Sequence, residues 1–146
     1  MCYSIYLSTD FDQDLSAENS ELLRFRKEPV PELSHSLLKH PNQWFVGSKS
    51  MCSCTFRHLY SVELGFGEPV EWYEEGEDEI AATLTFIKVI RHISELDYQV
   101  DCIDTWEGTE GEDILEISVN LNDVADDQFR FFENHHFLFD GDVIQD

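Results

Sequence analysis

The chain has 146 residues, with 31 Asp or Glu against 9 Lys or Arg, giving a net charge of −22. Such a balance repels phosphate backbones and anionic lipid surfaces, which argues against nucleic acid or membrane as partners and favours cations and basic proteins. Hydrophobic residues make up 42% of the chain, enough for one globular domain over residues 1–146 that hides about two thirds of its unfolded surface without a covalent staple.

The opening MCYSIYLSTD has no basic, apolar leader, and the longest apolar stretch, Ile80 to Ile90, is broken by Thr83, Thr85 and Lys88. It falls short of the ~20 residues that cross a bilayer. The expectation is a cytoplasmic protein whose cysteines stay reduced.

Along the chain, Cys2 to Ser8 alternates Tyr3, Ile5 and Leu7 against polar neighbours and reads as a half-buried strand. Ser16 to Lys27 places Leu22, Leu23 and Arg26 by the helical period, with Pro29 and Pro31 as its stop. Ser34 to Lys39 reads as a short helix halted before Pro41. Trp44 to Ser48 and Cys52 to Tyr60 follow as two strands joined through Lys49, Ser50 and Met51, which predicts a hairpin.

Glu63 to Glu79 is rich in acids and breakers and reads mostly as loop. The strongest helix follows it. Ile80, Leu84, Ile87, Ile90 and Ile93 recur at helical spacing, with acids at the start and Lys88, Arg91 and His92 in the C-terminal half, as the helix dipole favours. Tyr98 to Trp106 and Ile114 to Leu121 then read as strands around the polar turn Glu107 to Asp113. Asn122 or Asp123 can cap a helix over Val124 to Asn134, and His136 to Phe139 closes the chain as a strand. The order predicts an α+β domain: a mostly antiparallel sheet of about five or six strands, with two or three helices packed on one face.

The segment Leu33 to Val62 contains no Asp or Glu, yet holds Lys39, Lys49, Arg57, His35, His40 and His58. If the hairpin closes with Gly47 opposite Cys52, Arg57 falls beside Asn42 and near Lys39 and His40. Lys39, His40, Arg57 and His58 are therefore the candidate ligand-binding residues, with Arg57 as a bidentate fork for a carboxylate or phosphate. Cys52 and Cys54 lie on one face of the expected strand without further ligands in reach, so they read as packing residues and no metal is expected. The adjacent His135 and His136 point to opposite sides if extended, which rules them out as a ligand pair. No cofactor motif is present, and no catalytic set is assigned.

Three resemblances are confined to short stretches or to composition. Asp10, Asp12, Asp14, Glu18 and Glu21 fit positions of the EF-hand calcium loop, and the resemblance implies calcium ligation; it departs at Leu15, where the family has glycine. The segment reads instead as an acidic lead-in to a helix. Met1-Cys2 resembles the start of N-terminal-nucleophile amidotransferases, which implies Cys2 as a nucleophile using its own amine as base. In size and charge the chain is similar to the acidic immunity proteins of toxic nucleases. Trp72, Tyr73, Glu74 and Glu75 place aromatic anchors within an acidic loop, a pattern of interface residues. The leading expectation is a non-enzymatic binding module for a basic protein. Its alternative is a small enzyme using Cys2 or an anion pocket around His40, Arg57 and His58.

Overall fold

The computed structural model describes residues 3–27, 32–48, 53, 56, 58–59, 76–106, 114–121, 129–132 and 134–140. In chain order the elements are β1 (Tyr3–Thr9), a 3-10 turn (Leu15–Glu18), β2 (Leu23–Arg26), α1 (Glu32–Leu37), β3 (Asn42–Ser48), β4 (His58–Leu59), α2 (Glu77–Glu95), β5 (Val100–Trp106), β6 (Leu115–Asn120), β7 (Phe131–Phe132) and β8 (His135–Asp140). Six strands form one sheet in the order β2-β3-β1-β5-β8-β6, antiparallel except for the parallel β8–β6 pair, and β4 and β7 form a small parallel ladder. The mostly antiparallel α+β architecture is the expected one. Among the described residues no helix is long and apolar enough to cross a membrane.

Both faces of the central strands are covered, so β1 buries Ile5 and Leu7 on one side and Tyr6 and Ser8 on the other. The first side is the main core. There α2 lays down Ala82, Phe86, Val89, Ile90 and Ile93 against Leu23, Phe25, Trp44, Val46, Cys102 and Phe137. Its helical period was plain in the sequence, and Glu79 reaches back to accept from the Gly76 N–H at 2.8 Å, satisfying one of the orphan donors of the first turn. Phe86 sits among Phe56, Phe129, Phe131 and Phe139, with ring centroids 5.1–6.4 Å away. The second side is smaller. It packs Tyr6, Phe45 and Ile103 with Leu37 and Leu38 at the end of α1. Helical segments thus lie on both faces rather than one, and α2 is the one long helix among the described residues.

Four expectations are corrected. The helix over Ser16 to Lys27 is a 3-10 turn followed by β2. Asn19 Oδ1 accepts from Phe25 N at 2.6 Å and Ser20 N donates to Leu23 O, so a side chain and a turn take the backbone groups that a helix would use. Leu23 and Phe25 are buried while Arg24 and Arg26 are half-buried, which is a period of two.

The hairpin between Trp44 to Ser48 and Cys52 to Tyr60 does not form. β3 lies between β1 and β2 and has no free edge, Gly47 faces Arg24, and the described piece of the later segment, β4, pairs with β7. Ser53 is buried instead, its Oγ accepting from Ile5 N and donating to Val46 O, so it bridges β1 and β3.

β5 and β6 are not neighbours either, because β8 inserts between them. The last helix is absent over its described part: Phe129 to Phe132 run into β7, buried in the aromatic cluster, and Asn134 turns the chain into β8 with φ 59°, a conformation that Asn tolerates. Its residues 122–128 lie outside the described ones.

Candidate functional site

Leu38, 7% exposed, anchors the end of α1 on Tyr6, Phe45 and Ile103. That contact lays the next two backbone N–H groups over a polar patch of the sheet. Lys39 N donates to Asp101 Oδ2 at 3.1 Å, and His40 N donates to Ser8 Oγ at 3.2 Å. Ser8 and Asp101 face each other in the β1–β5 register, and the Ser8 hydroxyl donates to Asp101 Oδ1. From β8, His136 Nε2 reaches Asp101 Oδ2 at 2.6 Å.

Alternation along β8 explains the choice of histidine. His135 packs against Phe132 and Phe137 on the main-core side, whereas His136 turns to the α1 side, as adjacent residues of a strand must. Its Nδ1 lies 3.9 Å from Glu116 Oε2 on β6, and Lys39 Nζ approaches the same carboxylate oxygen at 3.6 Å. Ser8, Asp101 and His136 are each at most 2% exposed.

In this order Asp101 is the hub. The Ser8 proton goes to a carboxylate rather than to the imidazole, so the network holds strands together and does not form the serine–histidine contact that would activate a hydroxyl. Beside it opens a cleft of about 410 Å³, bordered by Lys39, His40, Tyr98, Asp101, Leu138 and Phe139 among others.

Of the residues singled out in the sequence, Lys39 and His40 meet at this cleft. His58 lies in β4, paired with Phe131. Arg57, Trp72, Tyr73, Glu74, Glu75, Cys2, Cys52 and Cys54 lie outside the described residues. Ser8 and Asp101 were missed, and His136 was weighed only as a ligand pair with His135; the one local signal was Asp101, a carboxylate between Val100 and Cys102 inside an expected strand.

Three acids of the EF-hand-like stretch accept hydrogen bonds. Asp10 Oδ1 accepts from Gln99 N at 2.7 Å, Asp12 Oδ1 from Gln13 Nε2 at 3.1 Å, and Asp14 Oδ1 from Ser16 N at 2.9 Å and from its hydroxyl at 2.6 Å. The Ser16 side-chain and backbone bonds hold the Asp14 carboxyl below its usual range. Among the described residues, no three His, Cys, Asp or Glu side chains converge as a ligand set.

Cys102 is buried and free. Burial, reinforced by Asp101 and Asp104, pushes its thiol well above 9.0. No protein-family model matches the sequence, and neither the curated proteins nor the solved structures contain a match to it.

Proposed function

We propose that the protein is a non-enzymatic binding module for a basic protein partner. The observation that carries this reading is how its charges are distributed. Arg26 lies 4.9 Å from the Phe45 ring centroid and Lys27 4.4 Å from that of Trp44; Arg91 donates to Leu121 O, Lys39 pairs with Glu116, and Arg130 is buried. Asp10, Asp12, Asp14, Glu18 and Glu21 all face solvent along one connection between β1 and β2. These five cations have partners on the protein itself, while the five acids of that connection stand exposed to an incoming partner. Complementary charge of this kind mainly accelerates encounter and suppresses partners of like sign.

Trp72, Tyr73, Glu74 and Glu75 are the proposed anchors of the contact, since aromatic residues dominate the energetics of interfaces. Affinity capture from native lysate, followed by kinetics with the captured protein, tests both halves of the reading. The variant D12N/E18Q/E21Q should slow association about tenfold at low salt with little change in dissociation. Trp72→Ala should weaken the complex by about 2 kcal/mol or more. An association rate indifferent to salt and to the triple variant counts against the electrostatic reading, and unchanged affinity in Trp72→Ala removes the anchor.

A further inference from the structure

An open sheet has two edges, and each edge strand turns a row of backbone N–H and C=O groups away from its one neighbour. The two edges of this sheet, β2 and β6, differ in what meets those groups. On β2 they are closed from within the chain: Asn19 Oδ1 accepts from Phe25 N at 2.6 Å, Asn19 Nδ2 donates to Phe25 O at 3.4 Å, and Ser20 N donates to Leu23 O at 2.8 Å. A carboxamide carries the same donor and acceptor as a peptide group, so Asn19 stands where a further strand would.

β6 has no such cover among the described residues. Leu115 N donates to Asn134 O at 3.1 Å where the β8 pairing begins, which turns the backbone groups of Leu115, Ile117 and Val119 toward β8. Alternation then turns those of Glu116 and Ser118 outward. Both residues are exposed, and Leu115 beside them is 63% exposed, high for a large apolar side chain. The strand spans six residues without the proline or lysine that commonly blunts an exposed edge.

The side chains along this edge set what fits it. Leu115 and Ile117 lie on the α2 side and suit apolar neighbours, whereas Glu116 and Ser118 lie on the α1 side with His136 and Leu138. Glu116 is the one charge of the strand; it meets Lys39 at 3.6 Å yet keeps a side chain 57% exposed. The exposed Asp97 borders the same cleft as Ser118. A second copy would set a net charge of −22 against another −22, and like charges across neighbouring strands are destabilising.

We infer that β6 is a docking edge for an extended basic segment of a partner protein, which joins the sheet as a further strand. The segment's backbone pairs with the N–H and C=O groups of Glu116 and Ser118, its apolar residues lie beside Leu115 and Ile117, and its lysine or arginine residues lie beside Glu116. Main-chain bonds supply affinity in this mode, and alternate side chains supply specificity. The inference gives the binding-module reading its mode of contact and rests on it.

The test uses the full chain and two capped hexapeptides, one alternating valine with lysine and the other valine with glutamate. The lysine peptide should slow hydrogen exchange at the Glu116 and Ser118 amides about tenfold or more, with NMR shifts centred on β6 and none on β2. The glutamate peptide should do neither. Ser118→Pro removes an outward N–H and spares the β8 pairing, as proline on the open side of an edge strand does. It should weaken binding about tenfold or more, while Ser118→Ala binds as the native chain does. Glu116→Gln should weaken the lysine peptide about threefold, which decides the matter if Ser118→Pro does not fold.

Equal binding of the glutamate peptide, shifts centred on β2, unaltered exchange at Glu116 and Ser118, or full binding by Ser118→Pro would overturn the proposal. So would sedimentation in which the chain alone forms a dimer that Ser118→Pro dissociates, because the occupant would then be a second copy. A captured basic partner separates the proposal from the reading beneath it. Undiminished affinity of that partner for Ser118→Pro would overturn the docking edge and leave the binding module standing. Failure to capture any basic protein, with the lysine peptide still protecting β6, would count against the module and support the edge.

Discussion

The two faces of the sheet are built from the same strands and do different work. On the α2 side, Ile5, Leu7, Val46, Cys102 and Phe137 meet a helix and an aromatic cluster, and the contacts are dispersive and close-packed. On the α1 side the intervening residues give Tyr6, Phe45 and Ile103 beside Ser8, Asp101 and His136, where a small apolar anchor holds a hydrogen-bonded network next to a cleft. Strand alternation therefore separates the part of the molecule that supplies most of the stability from the part that can present chemistry. Replacements on the first face should act through lost volume. Those on the second should act through unpaired polar groups.

The largest expected effect is on the α2 face. Phe86→Ala empties the space between Phe56, Phe129, Phe131 and Phe139 and should cost about 3–5 kcal/mol, read from urea unfolding. A loss below about 1 kcal/mol would mean that the aromatic cluster is not the core of this face. On the α1 face, Asp101→Ala leaves Ser8, His136 and the Lys39 N–H without their acceptor and should cost about 3 kcal/mol. The sharper contrast is in coupling. A double-mutant cycle between Ser8→Ala and His136→Gln should show an interaction of about 1 kcal/mol through their shared carboxylate, because removing either changes what the other leaves unpaired. Strict additivity would dissolve the distinction between the faces.

How much of this was legible in the sequence depended on the range of the interactions. β1, α2 and β8 were readable because their apolar periods are local and strong. β2 was not: Leu23-Arg24-Phe25-Arg26 offers only two apolar residues in alternation, and what decides it is the distant partner β3 together with Asn19 holding Phe25. Pairing was misread at both expected hairpins for one reason. Each assigned adjacent strands to each other, whereas β2 takes the free edge of β3 and β8 takes that of β5.

The acid-free block did include two residues of the cleft, Lys39 and His40. Part of its lack of carboxylates has a plainer cause, since Trp44 to Ser48 is buried throughout. Asp101 and His136 sit 35 positions apart and Ser8 a further 93 from Asp101. No local pattern joins residues so far apart, and only the strand order brings them together.

Cys102 lies on the α2 side of β5, one residue from the network, and reports on that face alone. Its folded pKa is raised by burial above the 9.0 of an exposed thiol, so folding favours the protonated form. The sign follows: its contribution to stability is fully present below pH 9.0 and is lost as pH rises beyond that toward the folded value, where the unfolded chain ionises first. Native Cys102 should resist iodoacetamide at pH 8 and react at the rate of global unfolding. Fast labelling under native conditions would show that this face opens locally.

The smallest effect concerns Lys39, one of the candidate ligand-binding residues. Lys39 stood out as a cation in a stretch without carboxylates, and its charge suggested a role in holding an anion. Its ammonium instead meets Glu116 at 3.6 Å, with both side chains about half exposed, in solvent where such a pair is worth about 0.2–1 kcal/mol at most. The Lys39 backbone N–H, by contrast, is bonded to the buried Asp101 carboxylate and is kept by any substitution other than proline. Lys39→Met should therefore preserve both the alkyl stem and the network. The expected change in unfolding free energy is within about 0.5 kcal/mol, with the His136 side-chain NMR signals little moved. Lys39→Pro should disturb those signals strongly, since it removes the N–H while leaving Glu116 and His136 in place. If Lys39→Met were the more damaging of the two, the ammonium rather than the backbone would be holding this face together, and the division of labour between the two sides of the sheet would have to be redrawn around a surface ion pair.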